Sequence, residues 1–178
     1  MITIVVKQQV AAPLGQVSQA LLDHAQLDRF FNAKITLIKP QNKGELLGGK
    51  GAIRQIAIGK IVFNEEIISA SNMHICYRIV GKGPVSEHQG DIHLSETQLI
   101  AEGIANQSTQ LDYVIQFNGP KWLPDFLLKF FVGRDIKNSM KKLALYFSDS
   151  QAASENVASD NCLVEKASKA DSSSGKPA

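Results

Sequence analysis

The sequence predicts an α+β domain, with a curved antiparallel sheet of about seven strands around a long C-terminal helix and two short helices after the first strand. Three observations predict it. Successive β-branched and aromatic stretches are separated by glycine- and asparagine-containing turns. Two of those stretches alternate apolar and polar residues with a period of two, the signature of a sheet with one buried face. The region 122–147 carries helical periodicity and is the one segment large enough to cover such a sheet.

Residues 2–10 are β-branched and extended. Pro13 then stands near the start of a short amphipathic segment in which Leu14, Val17, Leu21 and Leu22 share one helical face. A second short helix is expected over 25–31. Strands follow at 35–39, 51–58, 61–69, 74–80, 88–95 and 110–117, punctuated by Gly44, Gly48, Gly49, Gly59, Asn72 and Gly81-Lys82-Gly83-Pro84. In 110–117, Leu111, Tyr113, Ile115 and Phe117 oppose Gln110, Asp112 and Gln116; in 74–80, Ile75, Tyr77 and Ile79 oppose Arg78. The stretch 97–108 reads equally as extended strand or as loop.

In the helical region, Ile136, Met140, Leu143 and Phe147 form one stripe, whereas Leu123, Leu127, Phe130 and Phe131 centre on the opposite side. One straight helix cannot bury both stripes against one sheet, so a kink or break is expected at Gly133, where the phase jumps. Otherwise part of the first half stays exposed for a protein partner or membrane surface. After Phe147 the composition turns to Ser and Ala with few large apolar groups, and acidic residues outnumber basic ones by two. The expected division is therefore a folded domain over 1–148 and a disordered tail over 149–178.

At 178 residues, 44% hydrophobic and 20% charged, the chain suits a single globular domain. No apolar run is long enough to span a membrane, and the start MITIVVKQQV lacks the basic region of a secretory signal. A net charge of +2 with no Lys/Arg run argues against nucleic acid as a partner. Cys76 and Cys162 are too few for a disulfide framework and fit a reducing compartment, so a soluble, cytoplasmic protein is expected.

Several candidate sites weaken on inspection. Residues 44–50 match the first seven positions of a phosphate-binding loop, but Gly51 replaces the hydroxyl residue and no helix follows; a flexible hairpin loop over a cavity mouth is the better reading. Of His24, His74, His88 and His93, the last two are five apart and face opposite ways on a strand. Asp91 and His93 share a face, yet two ligands are too few for zinc, so these groups read as solvent-facing and no metal or cofactor is expected. Cys76 reads as a small packed hydrophobe. There is no Gly-x-Ser-x-Gly elbow, and covalent catalysis is not supported.

Arg54 and the pair Glu65-Glu66 are more informative, and their placement depends on the turn at Gly59. A two-residue turn of Gly59-Lys60 sets Arg54 across from Glu65; a three-residue turn through Ile58 sets it across from Asn64 and diagonal to Glu66. The pair reads either as a polar anchor inside a cavity or as a surface ion pair. Tyr77 and Tyr113 face inward, each offering a hydroxyl to a ligand or to the core.

The order of elements, with Ala12-Pro13, Val17 and Asp23 near the start, then Gly51-Ala52-Ile53-Arg54, Glu66-Ile67, Tyr77-Arg78-Ile79-Val80-Gly81 and His88-Gln89-Gly90-Asp91-Ile92, resembles the START/SRPBCC superfamily over residues 2–147. That superfamily includes birch-pollen-allergen-like proteins, polyketide cyclases and lipid-transfer domains. The chain departs from it in 97–108 and in the added tail. The resemblance implies a helix-grip fold and an inward Glu66 beside Arg54. It also implies non-catalytic binding or transport of a small hydrophobic molecule (a lipid, isoprenoid or polyketide) between sheet and helix. Ile56, Tyr77, Ile79, Tyr113, Ile115, Phe130 and Met140 would supply the lining, and Glu66 and Arg54 the orientation. Two other family activities fit the same chain: a polyketide cyclase/dehydratase-like enzyme using Glu66 or His88 as acid/base, and a co-chaperone-like interaction protein using the surface 122–132.

Overall fold

A computed structural model describes residues 1–101 and 104–171. Its core is a seven-stranded antiparallel sheet, β1 (Ile2–Val10), β2 (Lys34–Lys39), β3 (Ile53–Ile58), β4 (Ile61–Ala70), β5 (His74–Val80), β6 (Ser86–Ala101) and β7 (Ile104–Asn118). The spatial order is β1-β7-β6-β5-β4-β3-β2, so the first and last strands pair while β1 and β2 form the edges. Between β1 and β2 lie α1 (Leu14–Leu22) and a short 3-10 turn (Leu27–Arg29); α2 (Asp125–Asp171) ends the described chain. Register shifts at Leu37/Lys39, Ile67/Ser69 and Ser86/Gln89 supply the irregularities by which such a sheet curves.

Each element follows from its residues. In β1, Ile2, Ile4 and Val6 are buried while Thr3 and Val5 are exposed, as a period of two requires. Pro13 precedes α1 and its carbonyl accepts the first backbone bonds, from the amides of Gln16 and Val17, and the helix buries Leu14, Val17, Leu21 and Leu22. The ambiguous stretch 97–108 is strand on both sides: β6 and β7 pair in unbroken register from Gln89↔Gln116 out to Ala101↔Ile104, with residues 102–103 outside the described chain.

The two stripes of α2 have a simple resolution. The helix runs through Gly133 without interruption, so the expected break is absent. One continuous i, i+3/i+4 stripe (Leu128, Val132, Ile136, Met140, Leu143, Phe147) faces the domain. The opposite residues are left outside: Phe126, Phe130 and Phe131 are exposed, as is Trp122 ahead of the helix. Gly133 itself faces β1, where an added Cβ would lie 3.6 Å from Ile4, an ordinary contact. The backbone of α2 also continues beyond Phe147 to Asp171, into the segment whose composition predicts a tail; residues 172–178 lie outside the described chain.

The hydrophobic core joins β1 and β7 to α1 and α2 through Val10, Val17, Leu21, Leu27, Leu111 and Leu143, all almost fully buried. Of the sheet, it is β1 that α2 packs against. The earlier half of α2, Leu128 to Ile136, stands over a part of the sheet that side chains do not fill.

Candidate functional site

Beneath that half of α2 lies a cleft of about 460 Å³, within the roughly 300–1,000 Å³ of small-molecule sites. Alternating inward residues of six strands line it: Ile35; Arg54, Ile56 and Ile58; Ile61, Phe63 and Glu65; Tyr77 and Ile79; His88; and Tyr113, Ile115 and Phe117. Leu128, Phe131, Val132, Asp135 and Ile136 of α2 form the roof.

A polar cluster stands among this apolar lining. Its register comes from the turn: Ile58 pairs with Ile61 across a two-residue turn, and Gly59 adopts φ +57, the conformation a two-residue hairpin favours glycine for. Arg54 therefore stands opposite Glu65. Arg54 Nε and Nη2 both donate to Glu65 Oε2, at 2.9 and 2.8 Å, with the two side chains only 10% and 9% exposed. This overturns the surface ion-pair reading. Burial is the largest influence and works against the guanidinium charge, but Glu65, Tyr77 and Tyr113 together outweigh it and the Arg54 pKa is raised.

The Arg54 guanidinium lies over the Tyr77 ring, 4.8 Å from its centroid. The Tyr77 and Tyr113 hydroxyls hydrogen-bond to each other, so each is the other's partner within the core. Burial pushes both phenols well above their ordinary pKa, keeping them neutral. Gly90 makes room for this: it pairs with Tyr77, and a Cβ there would lie 2.2 Å from Tyr77 Cζ. The His88 ring packs 5.6 Å from that of Tyr77, and its buried Nδ1 has no hydrogen-bond partner. Burial, assisted by Arg54, lowers the His88 pKa against the opposing pull of Glu65, favouring the neutral imidazole.

Of the residues singled out in sequence, Arg54, Ile56, Tyr77, Ile79, Tyr113 and Ile115 line the cleft, and His88 joins them. Glu66 does not. The two-residue turn sends it to the other face of the sheet, where Arg78 Nη2 donates to its carboxylate at 3.2 Å, and Glu65 takes the inward place. Phe130 is 58% exposed and does not line the cleft; the neighbouring Phe131 borders it at the rim while staying 60% exposed. Met140 is fully buried further along the helix, in the packed core instead of the cleft.

The 44–50 loop does not overhang the cleft. The Gly48 carbonyl accepts a bond from His24 Nε2 at 2.8 Å, and a Cβ on Gly48 would lie 2.0 Å from the Leu22 carbonyl oxygen. His24 is accordingly 3% exposed, not solvent-facing, and burial lowers its pKa to about 4. Cys76 is buried as expected, but its thiol faces Asp91 on the outer side of the sheet, and burial pushes its pKa up to about 11.

Among the described residues no helix is long and apolar enough to cross a membrane. No family model and no curated protein matches the chain. Solved structures do. The protein XoxI from Bacillus cereus aligns over 85% of this chain and 99% of its own, with TM-score 0.62 and 15% identity. An uncharacterised protein from Bacillus thuringiensis aligns over 82% and 98%, with TM-score 0.59 and 15% identity. A protein from Nitrosospira multiformis aligns over 84% and 99%, with TM-score 0.56 and 16% identity. At these identities the likeness is one of fold alone.

Proposed function

We propose that this chain is a helix-grip domain of the START/SRPBCC kind that binds or carries a small hydrophobic molecule with one polar end. The reading rests on one observation: an open apolar cleft of about 460 Å³ has a buried Arg54–Glu65 pair and two tyrosines at its floor. The apolar walls supply affinity, about 2.5 kcal/mol for each 100 Å² of ligand surface removed from water. The polar floor orients the ligand, because a guanidinium and a carboxylate offer donors and acceptors to a hydroxyl, carbonyl or carboxylate. A lipid, isoprenoid or polyketide fits this description. The scarcity of cysteine fits a cytoplasmic setting.

Thermal unfolding tests the proposal. A ligand of this class is expected to raise Tm saturably, since it binds the folded state alone. Ile79→Trp, which fills the cleft from its wall, is expected to abolish the rise in a protein that stays folded. No stabilisation by any such molecule, or stabilisation undiminished in Ile79→Trp, contradicts it.

His88 supports a second reading, a cyclase- or dehydratase-like enzyme. Glu66 lies outside the cleft, but the neutral His88 imidazole lines it with an unpartnered nitrogen, as a general base requires. Turnover abolished in His88→Gln with ligand binding intact would mark catalysis; unchanged turnover would exclude this role for His88. For the co-chaperone-like reading, exposed Trp122, Phe126 and Phe130 are the supporting feature.

A further inference from the structure

The face of the sheet turned away from the cleft carries a second group of functional side chains. Strands β5 and β6 pair so that His74 stands opposite His93 and Cys76 opposite Asp91. Residues two apart on a strand share a face, so His74, Asp91 and His93 all project outward while Ile75 and Ile92 enter the core. Spacing along a single strand shows only Asp91 and His93 as neighbours; the cross-strand register adds the third.

His74, Asp91 and His93 each present a ligand atom, and the three atoms lie within 4.8 Å of one another. His74 Nε2 is 3.0 Å from Asp91 Oδ1. That is close to the roughly 3.3 Å separating ligands around a tetrahedral ion with bonds of about 2.0–2.1 Å. The His74 and His93 rings are stacked at 4.5 Å with planes 15° apart, which holds the two imidazoles side by side next to Asp91. Gln89 Nε2 donates to Asp91 Oδ2 at 2.7 Å, the outer support that orients a ligating carboxylate. Two cations on this face, Lys7 and Arg78, are each engaged by another carboxylate, Asp112 at 3.2 Å and Glu66 at 3.2 Å.

We propose that His74, Asp91 and His93 form a binding site for one divalent first-row transition-metal ion, with water completing its coordination. Two imidazoles and one carboxylate suit zinc, cobalt, nickel or copper, and suit magnesium or calcium poorly. The site is separate from the cleft, so it stands or falls independently of the ligand-binding proposal.

Calorimetric titration of the metal-free, full-length protein with Zn²⁺, repeated with Co²⁺ while recording the visible spectrum, tests it. One ion per chain is expected, with the cobalt bands of a low-symmetry nitrogen–oxygen site. His93→Gln and Asp91→Asn are each expected to weaken binding about tenfold or more. Their circular dichroism should be unchanged, because His93 is exposed and Asp91→Asn keeps its shape. His88→Gln, on the cleft side, should bind as the parent does. Absence of one-to-one binding, or His93→Gln and Asp91→Asn binding as tightly as the parent, overturns the site.

Discussion

Arg54 and Glu65 form an ion pair where ion pairs are expensive. Removing both charges from water costs several kcal/mol per ion, which their attraction recovers only if the pair stays intact. Glu65→Gln leaves the guanidinium buried and uncompensated, and is expected to destabilise the fold by about 3 kcal/mol in chemical denaturation. Adding Arg54→Met to it should recover much of that loss, since a neutral pair avoids the desolvation cost; a double variant no better than Glu65→Gln would contradict this. His24 sets a pH dependence. Its pKa falls from 6.5 to about 4 on folding, so the unfolded chain binds the proton more readily. Its stabilising contribution is complete above pH 6.5 and is lost as pH falls through 4, on the order of 3 kcal/mol in all. His88, also lowered, acts in the same direction. Melting curves between pH 4 and 7 should show Tm falling with acid, and His24→Gln, whose amide can still reach the Gly48 carbonyl, should flatten the slope.

At the scale of elements, β-branched stretches between turn signals located the strands, and in two of them alternation also marked the buried face. Turn length was less legible. Gly59 satisfies a two- or a three-residue turn, and that single residue of difference decides whether Glu65 or Glu66 enters the cleft. The stripe Ile136, Met140, Leu143 and Phe147 was legible, but its continuation before Gly133 was not: Phe130 and Phe131 draw the apparent apolar sector away from Leu128 and Val132, and hydrophobicity alone does not say which large residues are covered. Two predictions belong here. Gly133→Ala should stabilise the protein by about 0.5–1 kcal/mol, because the helix is continuous and the new methyl meets Ile4 at an ordinary distance. Gly90→Ala should destabilise it and break the Tyr77–Tyr113 hydrogen bond, because the added methyl and the Tyr77 ring cannot share one place. Unfolding curves, with tyrosine absorbance for the second variant, check both.

For the molecule as a whole, element order sufficed to anticipate an antiparallel sheet with a long helix across it, since the terminal helix was large enough to cover one apolar face. The open volume beside that helix was anticipated from the architecture and the resemblance, not from any local pattern, because a cleft is set by where side chains stop. The His74–His93 pairing was not legible, because it arises from the register between two strands 19 residues apart in sequence at these positions. On the proposed reading the cleft holds a hydrophobic cargo, which the protein purified from its own cell should retain. Native mass spectrometry of such material is the most direct measurement. A single hydrophobic adduct on each chain, released on unfolding and absent from Ile79→Trp, is the predicted result; a bare chain that also takes up no lipid, isoprenoid or polyketide when these are added would contradict it.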